Sequence, residues 1–118
     1  MSAQSNPHPG AQDRWLDWLD RGLAGQPGAE AMVRDVLGPL IDYDARHQGD
    51  LVHTVEVLAA CGWSPSPAAR RLFLLRNSVL YRRSRIEEIT GRSLSDPRQR
   101  LLLTVAARLH RHVQNHRE

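Results

Sequence analysis

The stretch SPAARRLFLLRNSVLYRRSRIEEITG, residues 66–91, decides the fold. Between Arg70 and Ile86 it holds six arginines and no acid, with apolar residues threaded among them. Ser66–Pro67 reads as an N-cap followed by proline at the first helical position. It opens a short helix through about Phe73, with Ala69, Leu72 and Phe73 facing inward. Leu74 to Arg76 reads as a tight connection, Asn77 caps a longer helix running to about Thr90, and Gly91 ends it. Two helices of that size and order make a helix-turn-helix, whose second helix enters the major groove of DNA and reaches base edges with its first turns.

The chemistry of the second helix agrees with that reading. Val79, Ile86 and Ile89 form a stripe that should hold it on the body. Ser78, Tyr81, Arg82 and Arg85 share another face. Arg76 can reach a guanine edge or a phosphate. Asn77 or Ser78 leads the helix N-terminus, where backbone N–H groups and the helix dipole favour a phosphate. The bland counterpart is an ordinary amphipathic helix with solvated arginines.

Outward from this stretch, the chain resolves into further helices. Residues 1–12 read as a disordered tail or linker, rich in Ser, Asn, Pro, Gly and Gln. Asp13 is placed to cap a first helix with Trp15, Leu16, Leu19 and Leu23 on one face, and GQPG at 25–28 breaks it. A second helix should run from Ala29 to Leu37, a bend follow at Gly38–Pro39, and a third run to about Arg46. Asp50 reads as the cap of a helix with Leu51, Val52, Val55, Leu58 and Ala59 in one stripe, stopped by Gly62. Asp96–Pro97 repeats the cap-plus-proline signal, with Gln99 at the capping-box position. The last helix carries Leu101, Leu102, Val105, Leu109 and Val113 as its apolar residues. No stretch alternates long enough to be a strand. The expected fold is all-α, a small bundle of about seven helices: residues 13–48 supply N-terminal helices packing on the core, and residues 49–118 the helix-turn-helix domain.

Charge is distributed unevenly. Residues 1–56 carry four arginines and nine acids, a net of −5, and residues 57–118 carry twelve arginines and four acids, a net of +8. Such asymmetry suggests a basic face that meets a polyanion. All 16 basic residues are arginine, which reads as a composition bias before it reads as function. Cys61 is the single cysteine, so no intrachain disulfide is available, and it reads as a small core residue. No apolar run is long enough to span a bilayer, and the N-terminus lacks the apolar core of a signal peptide. A cytoplasmic location is expected. His110, His112 and His116 lack the companions of a metal site, so no metal or cofactor is expected. No phosphate loop, nucleophile motif or carboxylate pair appears, and an enzyme is not expected.

Longer motifs carry a family resemblance. Pro39, Leu40, Tyr43 and Asp44, then Asp50, Leu51 and Thr54, then Ala69, Arg70 and Leu72 fall in order. They are followed by RNSVLYRRSRIEEITG at 76–91 and by Asp96, Arg100, Leu101 and Ala106. Over roughly residues 33 to 110 this resembles the C-terminal DNA-binding domain of PucR/CdaR-type transcription regulators. The resemblance implies a Fis-like helix-turn-helix, double-stranded DNA as partner, a homodimer or higher oligomer, and a larger N-terminal sensory region absent here. Arg76, Asn77, Ser78, Tyr81, Arg82 and Arg85 are the expected DNA contacts, with Arg70 and Arg71 as candidate phosphate contacts. The departures are Leu75 for a polar residue, Leu80 for an exposed arginine, Arg83 for a buried leucine, and Pro65 and Pro67 around Ser66. Either Arg83 snorkels out of the core and Leu80 is exposed, or the helix rotates to bury Leu80. The alternative function is a degenerate helix-turn-helix serving protein interaction or dimerisation, with Leu75, Leu80 and the tryptophan helix as its apolar patch.

Overall fold

Leu37, Leu40, Val55, Leu58, Val79, Ile86, Leu94 and Leu103 lose all or nearly all contact with solvent, and the helices are arranged around them. The computed structural model describes residues 9–115, with side chains from Arg14 onward. Among these residues there are six helices and no strand: α1 (Pro9–Ala24), α2 (Ala29–His47), α3 (Leu51–Ala60), α4 (Pro65–Leu72), α5 (Arg76–Thr90) and α6 (Pro97–Asn115). The all-α expectation holds. Helix α6 lies against α1, α2 and α3, while α5 lies against α2, α3 and α4.

Helix α1 begins at Pro9, so residues 9–12, expected in the tail, are helical. Residues 1–8, His116 and the side chain of Asp13 lie outside the described residues. The expected break at Gly38–Pro39 does not occur: α2 runs through both, with Pro39 inside it. Proline removes one backbone bond, normally to the carbonyl four residues earlier. Here the flanking Val36, Leu37 and Leu40 are all buried, so burial on both sides of the proline outweighs that one bond. Among the described residues the helices therefore number six, one fewer than expected.

Helix α3 is capped, but by a different aspartate. Asp50 occupies the N-cap position and makes no side-chain cap bond. Asp44, at the end of α2, instead accepts hydrogen bonds from the Leu51 and Val52 N–H groups at 2.9 and 3.0 Å. Gly49 makes room for it, since a Cβ there would lie 2.6 Å from Asp44 Oδ1. Helix α4 starts two residues earlier than expected, at Pro65 with Ser64 before it.

In α6 the buried face is Leu103, Ala106, Ala107 and Leu109, whereas Leu101 and Leu102 are exposed. The triple leucine hid this choice. The two alanines decide it, because small side chains let α6 approach its neighbours closely. At its N-terminus, Asp96 accepts from the Arg98 N–H at 2.9 Å. Gln99 does not complete a capping box; its carbonyl receives Arg92, which also bridges to Asp35 on α2.

Trp63 packs on the core, and its indole N–H donates to Thr104 on α6 at 3.0 Å. Cys61 is also packed there, as expected of a small core residue. No helix among the described residues is long and apolar enough to cross a membrane.

Candidate nucleic-acid interface

Helices α4 and α5 are joined by three residues, Phe73, Leu74 and Leu75. Phe73 adopts the left-handed conformation, φ 58 and ψ 43. Its N–H bonds to the Arg70 carbonyl at 3.3 Å, and the Leu74 N–H reaches back to Ala69 at 2.9 Å. These two bonds close the end of α4 in the pattern usually built on glycine. Leu74 then packs on the core and fixes the turn from beneath. Phe73, expected inward, is 93% exposed, because the left-handed turn swings its side chain away from the body. The hydrophobic turn residue of this chain is Leu74.

Asn77 was expected to cap the second helix, but α5 begins at Arg76 with Leu75 in extended conformation before it. The Leu75 carbonyl accepts from the Ser78 and Val79 N–H groups at 3.0 and 3.2 Å. No side chain caps the helix, so its leading N–H groups stay open at the positive end of the dipole. Arg76 and Asn77 are exposed in that first turn, and Arg76 makes no ion pair or hydrogen bond among the described residues. Leu75, beside them, is 78% exposed.

Val79 and Ile86 are fully buried and Ile89 packs beside them, as expected. That seam sets the rotation of α5. The residues turned furthest from the body are Asn77, Tyr81, Ser84 and Glu88, all exposed, with Tyr81 at 66%. The face expected from the arginines, with Ser78, Tyr81, Arg82 and Arg85, is off this direction by about 80°, less than one residue step of about 100°. Ser84 was missed because it lies between two arginines and carries no charge. A helical wheel centred on Val79 and Ile86 would have found it.

The displaced residues face the junction of α2 and α3. Ser78, Arg82 and Arg85 are half-buried there and line a groove of about 520 Å³ together with Tyr43, Asp50 and Asn77. Arg82 Nη1 donates to Asp50 Oδ2 at 3.2 Å and to Thr54 Oγ1 at 3.0 Å. Thr54 is fully buried and its hydroxyl donates onward to the Asp50 carbonyl at 2.7 Å. Arg85 pairs with Glu88, and its guanidinium carbon lies 5.3 Å from the centre of the Tyr43 ring. Tyr43 first, and Glu88 second, hold Arg85 above the ordinary arginine pKa, so it is a fixed charge at every accessible pH. Glu87 accepts the Leu94 N–H at 2.7 Å and anchors the loop after α5.

On the other flank, Arg83 and Leu80 are both half-buried, so neither extreme expected for this pair occurs. Arg83 makes no ion pair among the described residues. At the end of α4, Arg70 and Arg71 are exposed. Arg70 has no side-chain partner among the described residues, and Arg71 lies 3.7 Å from the Cys61 sulfur. The structure thus brings Arg70, Arg76, Asn77 and Tyr81 to open positions on the two helices and ties Arg82 and Arg85 back onto the body.

Two helices of this kind, joined by a left-handed three-residue turn, define a helix-turn-helix. The sequence places it more closely: residues 51–113 match the model of the PucR C-terminal helix-turn-helix domain, and the chain belongs to that family. Uncharacterized proteins of Mycobacterium tuberculosis and Mycobacterium bovis are each 37% identical over 89 residues, 75% of this chain and 20% of theirs. The purine catabolism regulatory protein of Bacillus subtilis is 39% identical over 61 residues, 52% of this chain and 12% of its own. The chain thus spans about a fifth of the length of the mycobacterial relatives it matches. No solved structure matches it.

Proposed function

We propose that this domain binds double-stranded DNA as the reading head of a transcription regulator, with α5 in the major groove. Asn77, Tyr81 and Ser84 face base edges, Arg76 meets a base edge or phosphate at the leading end, and Arg70 and Arg71 meet the backbone. Ser78, Arg82 and Arg85 stand behind them on the groove flank. The observation that carries this reading is the uncapped first turn of α5, which opens outward with the unpaired Arg76 and the exposed Asn77. Cations at such a turn suit a polyanion, and uncharged polar groups along the outer face suit base edges. In this reading the domain self-associates, and a larger sensory region supplies the signal.

Fluorescence anisotropy with labelled duplexes selected from a random library tests it. Arg76→Ala should weaken binding by ten-fold or more without changing the melting temperature. Equal affinity of this variant and the wild type for the selected duplex would contradict the proposal.

A second reading has its own observation. Trp15 and Trp18 on α1 are 61% and 60% exposed, in edge-to-face contact at 5.7 Å, with Leu16 and Leu19 exposed beside them. Four large apolar side chains on one short helix suit a protein interface. This complements the DNA-binding reading, since it uses a different helix.

A further inference from the structure

We infer that Arg82 is a positioning residue that sets the pose of α5 through Asp50 and Thr54, and does not touch DNA. This rests on the DNA-binding reading above and deepens it. Arg82 sits only a short way around the helix from the buried seam of Val79 and Ile86, so its side chain leaves α5 toward α3. One guanidinium nitrogen holds two groups of α3 at once: the Thr54 hydroxyl at 3.0 Å and the Asp50 carboxylate at 3.2 Å.

The geometry explains why this contact matters more than an ordinary surface ion pair. Asp50 is half exposed, and the charge pair by itself contributes little. Thr54 is fully buried, and its hydroxyl proton is already committed to the Asp50 carbonyl. Its oxygen lone pairs can only accept, and Arg82 is the donor that reaches them. Removing Arg82 takes a donor away from that buried oxygen and leaves the hydroxyl with its bond to the Asp50 carbonyl alone, a loss inside the protein rather than at its surface. Asp50 is also free for this task, because Asp44 has taken over the capping of α3. The first aspartate ends α2 and starts α3; the second fixes the distance from α3 to the recognition helix. A displacement of α5 of the order of an ångström would carry Asn77, Tyr81 and Ser84 out of register with base edges, since hydrogen bonds weaken steeply with misalignment.

A phosphate contact and a positioning contact leave different marks. Removing a phosphate contact lowers the slope of log affinity against log salt by about 0.9, whereas a positioning residue leaves the slope intact. The experiment is anisotropy titration of the selected duplex at several salt concentrations with Arg82→Ala, Asp50→Ala, the double variant and Arg76→Ala. Arg82→Ala and Asp50→Ala should each weaken binding several-fold at the wild-type slope. The double variant should be no weaker than the worse single variant, because both changes break one contact. Arg76→Ala should instead flatten the slope.

Arg82→Lys guards against loss of folding, since its ammonium on a stem of similar length can still donate to Thr54 and Asp50; it should recover most of the affinity lost in Arg82→Ala. The inference is overturned if Arg82→Ala flattens the slope by about one ion. It is equally overturned if Asp50→Ala tightens binding only when Arg82 is present, which would mark a guanidinium released to a phosphate. A wild-type domain that binds no selected or random duplex overturns the DNA-binding reading itself, and this inference with it.

Discussion

Asp44, Phe73 and Arg82 each perform a task that their residue type does not announce. Asp44 caps a helix that starts seven residues later, with two N–H groups on its two carboxylate oxygens. Asp44→Ala should destabilise the fold by about 1–2 kcal/mol, measured by urea unfolding. Asp50→Ala should cost less, since its carboxylate caps nothing. Phe73 stands where glycine has the conformational advantage, and its exposed ring contributes almost no packing in the domain. Left-handed backbone costs roughly 1–2 kcal/mol in a non-glycine residue, while glycine gives back part of that in chain entropy. Phe73→Gly should therefore raise the melting temperature by a few degrees, roughly what 1 kcal/mol produces in a domain of this size. A fall in melting temperature would show that the Phe73 ring is packed. These residue-level roles were illegible in the sequence for one reason: each depends on a partner distant along the chain or on a local backbone twist. Asp50 fits the cap position as well as any aspartate could, and only Gly49, which lets Asp44 approach, decides between them.

At the scale of the element, local signals located most helices and misjudged their faces. Glycine and proline marked the ends of α3, α4, α5 and α6 to within a residue or two. Pro39 misled, because a local rule met a buried segment on both of its sides. Pro39→Ala restores a backbone donor within a continuous helix and should raise the urea midpoint, with a gain of about 1–2 kcal/mol once the looser unfolded chain is counted. A lowered midpoint would favour a true break at this position. The rotation of α5 shows the same limit from another side. Its buried seam was legible from Val79, Ile86 and Ile89, yet the outward face was drawn through the arginines. Arginine can lie along a groove and pair with another helix, so charge is a poor guide to which way a residue points. Apolar positions are the better compass, and they place Asn77, Tyr81, Ser84 and Glu88 outward.

Across the whole molecule, the uneven charge has two uses. Among the described residues, three ion pairs join the basic second half to the acidic first half: Arg82 to Asp50, Arg92 to Asp35 and Arg108 to Asp20. The last is bidentate, at 2.9 and 3.0 Å, and ties α1 to α6. Part of the asymmetry is thus internal and clamps the helices together. The arginines left over, Arg70, Arg76 and Arg83 among them, are the part available to a polyanion. Sequence composition revealed the imbalance but not this division, which needs the three-dimensional pairing. The exposed tryptophans of α1 lie on a separate helix from those arginines. If they mediate self-association, replacing Trp15 and Trp18 together by serine should shift the sedimentation equilibrium toward monomer and leave the affinity of a single half-site unchanged. Unaltered sedimentation would remove α1 as the self-association surface.

The central claim is that the first turns of α5 meet DNA. The measurement that addresses it most directly is a ¹⁵N–¹H NMR titration of the domain with a selected duplex. The account predicts the largest shifts at the amides of Arg76, Asn77, Tyr81 and Ser84, with smaller ones at Arg70 and Arg71 and almost none at Trp15 and Trp18. Shifts confined to α1, with α5 unmoved at saturating duplex, would contradict it.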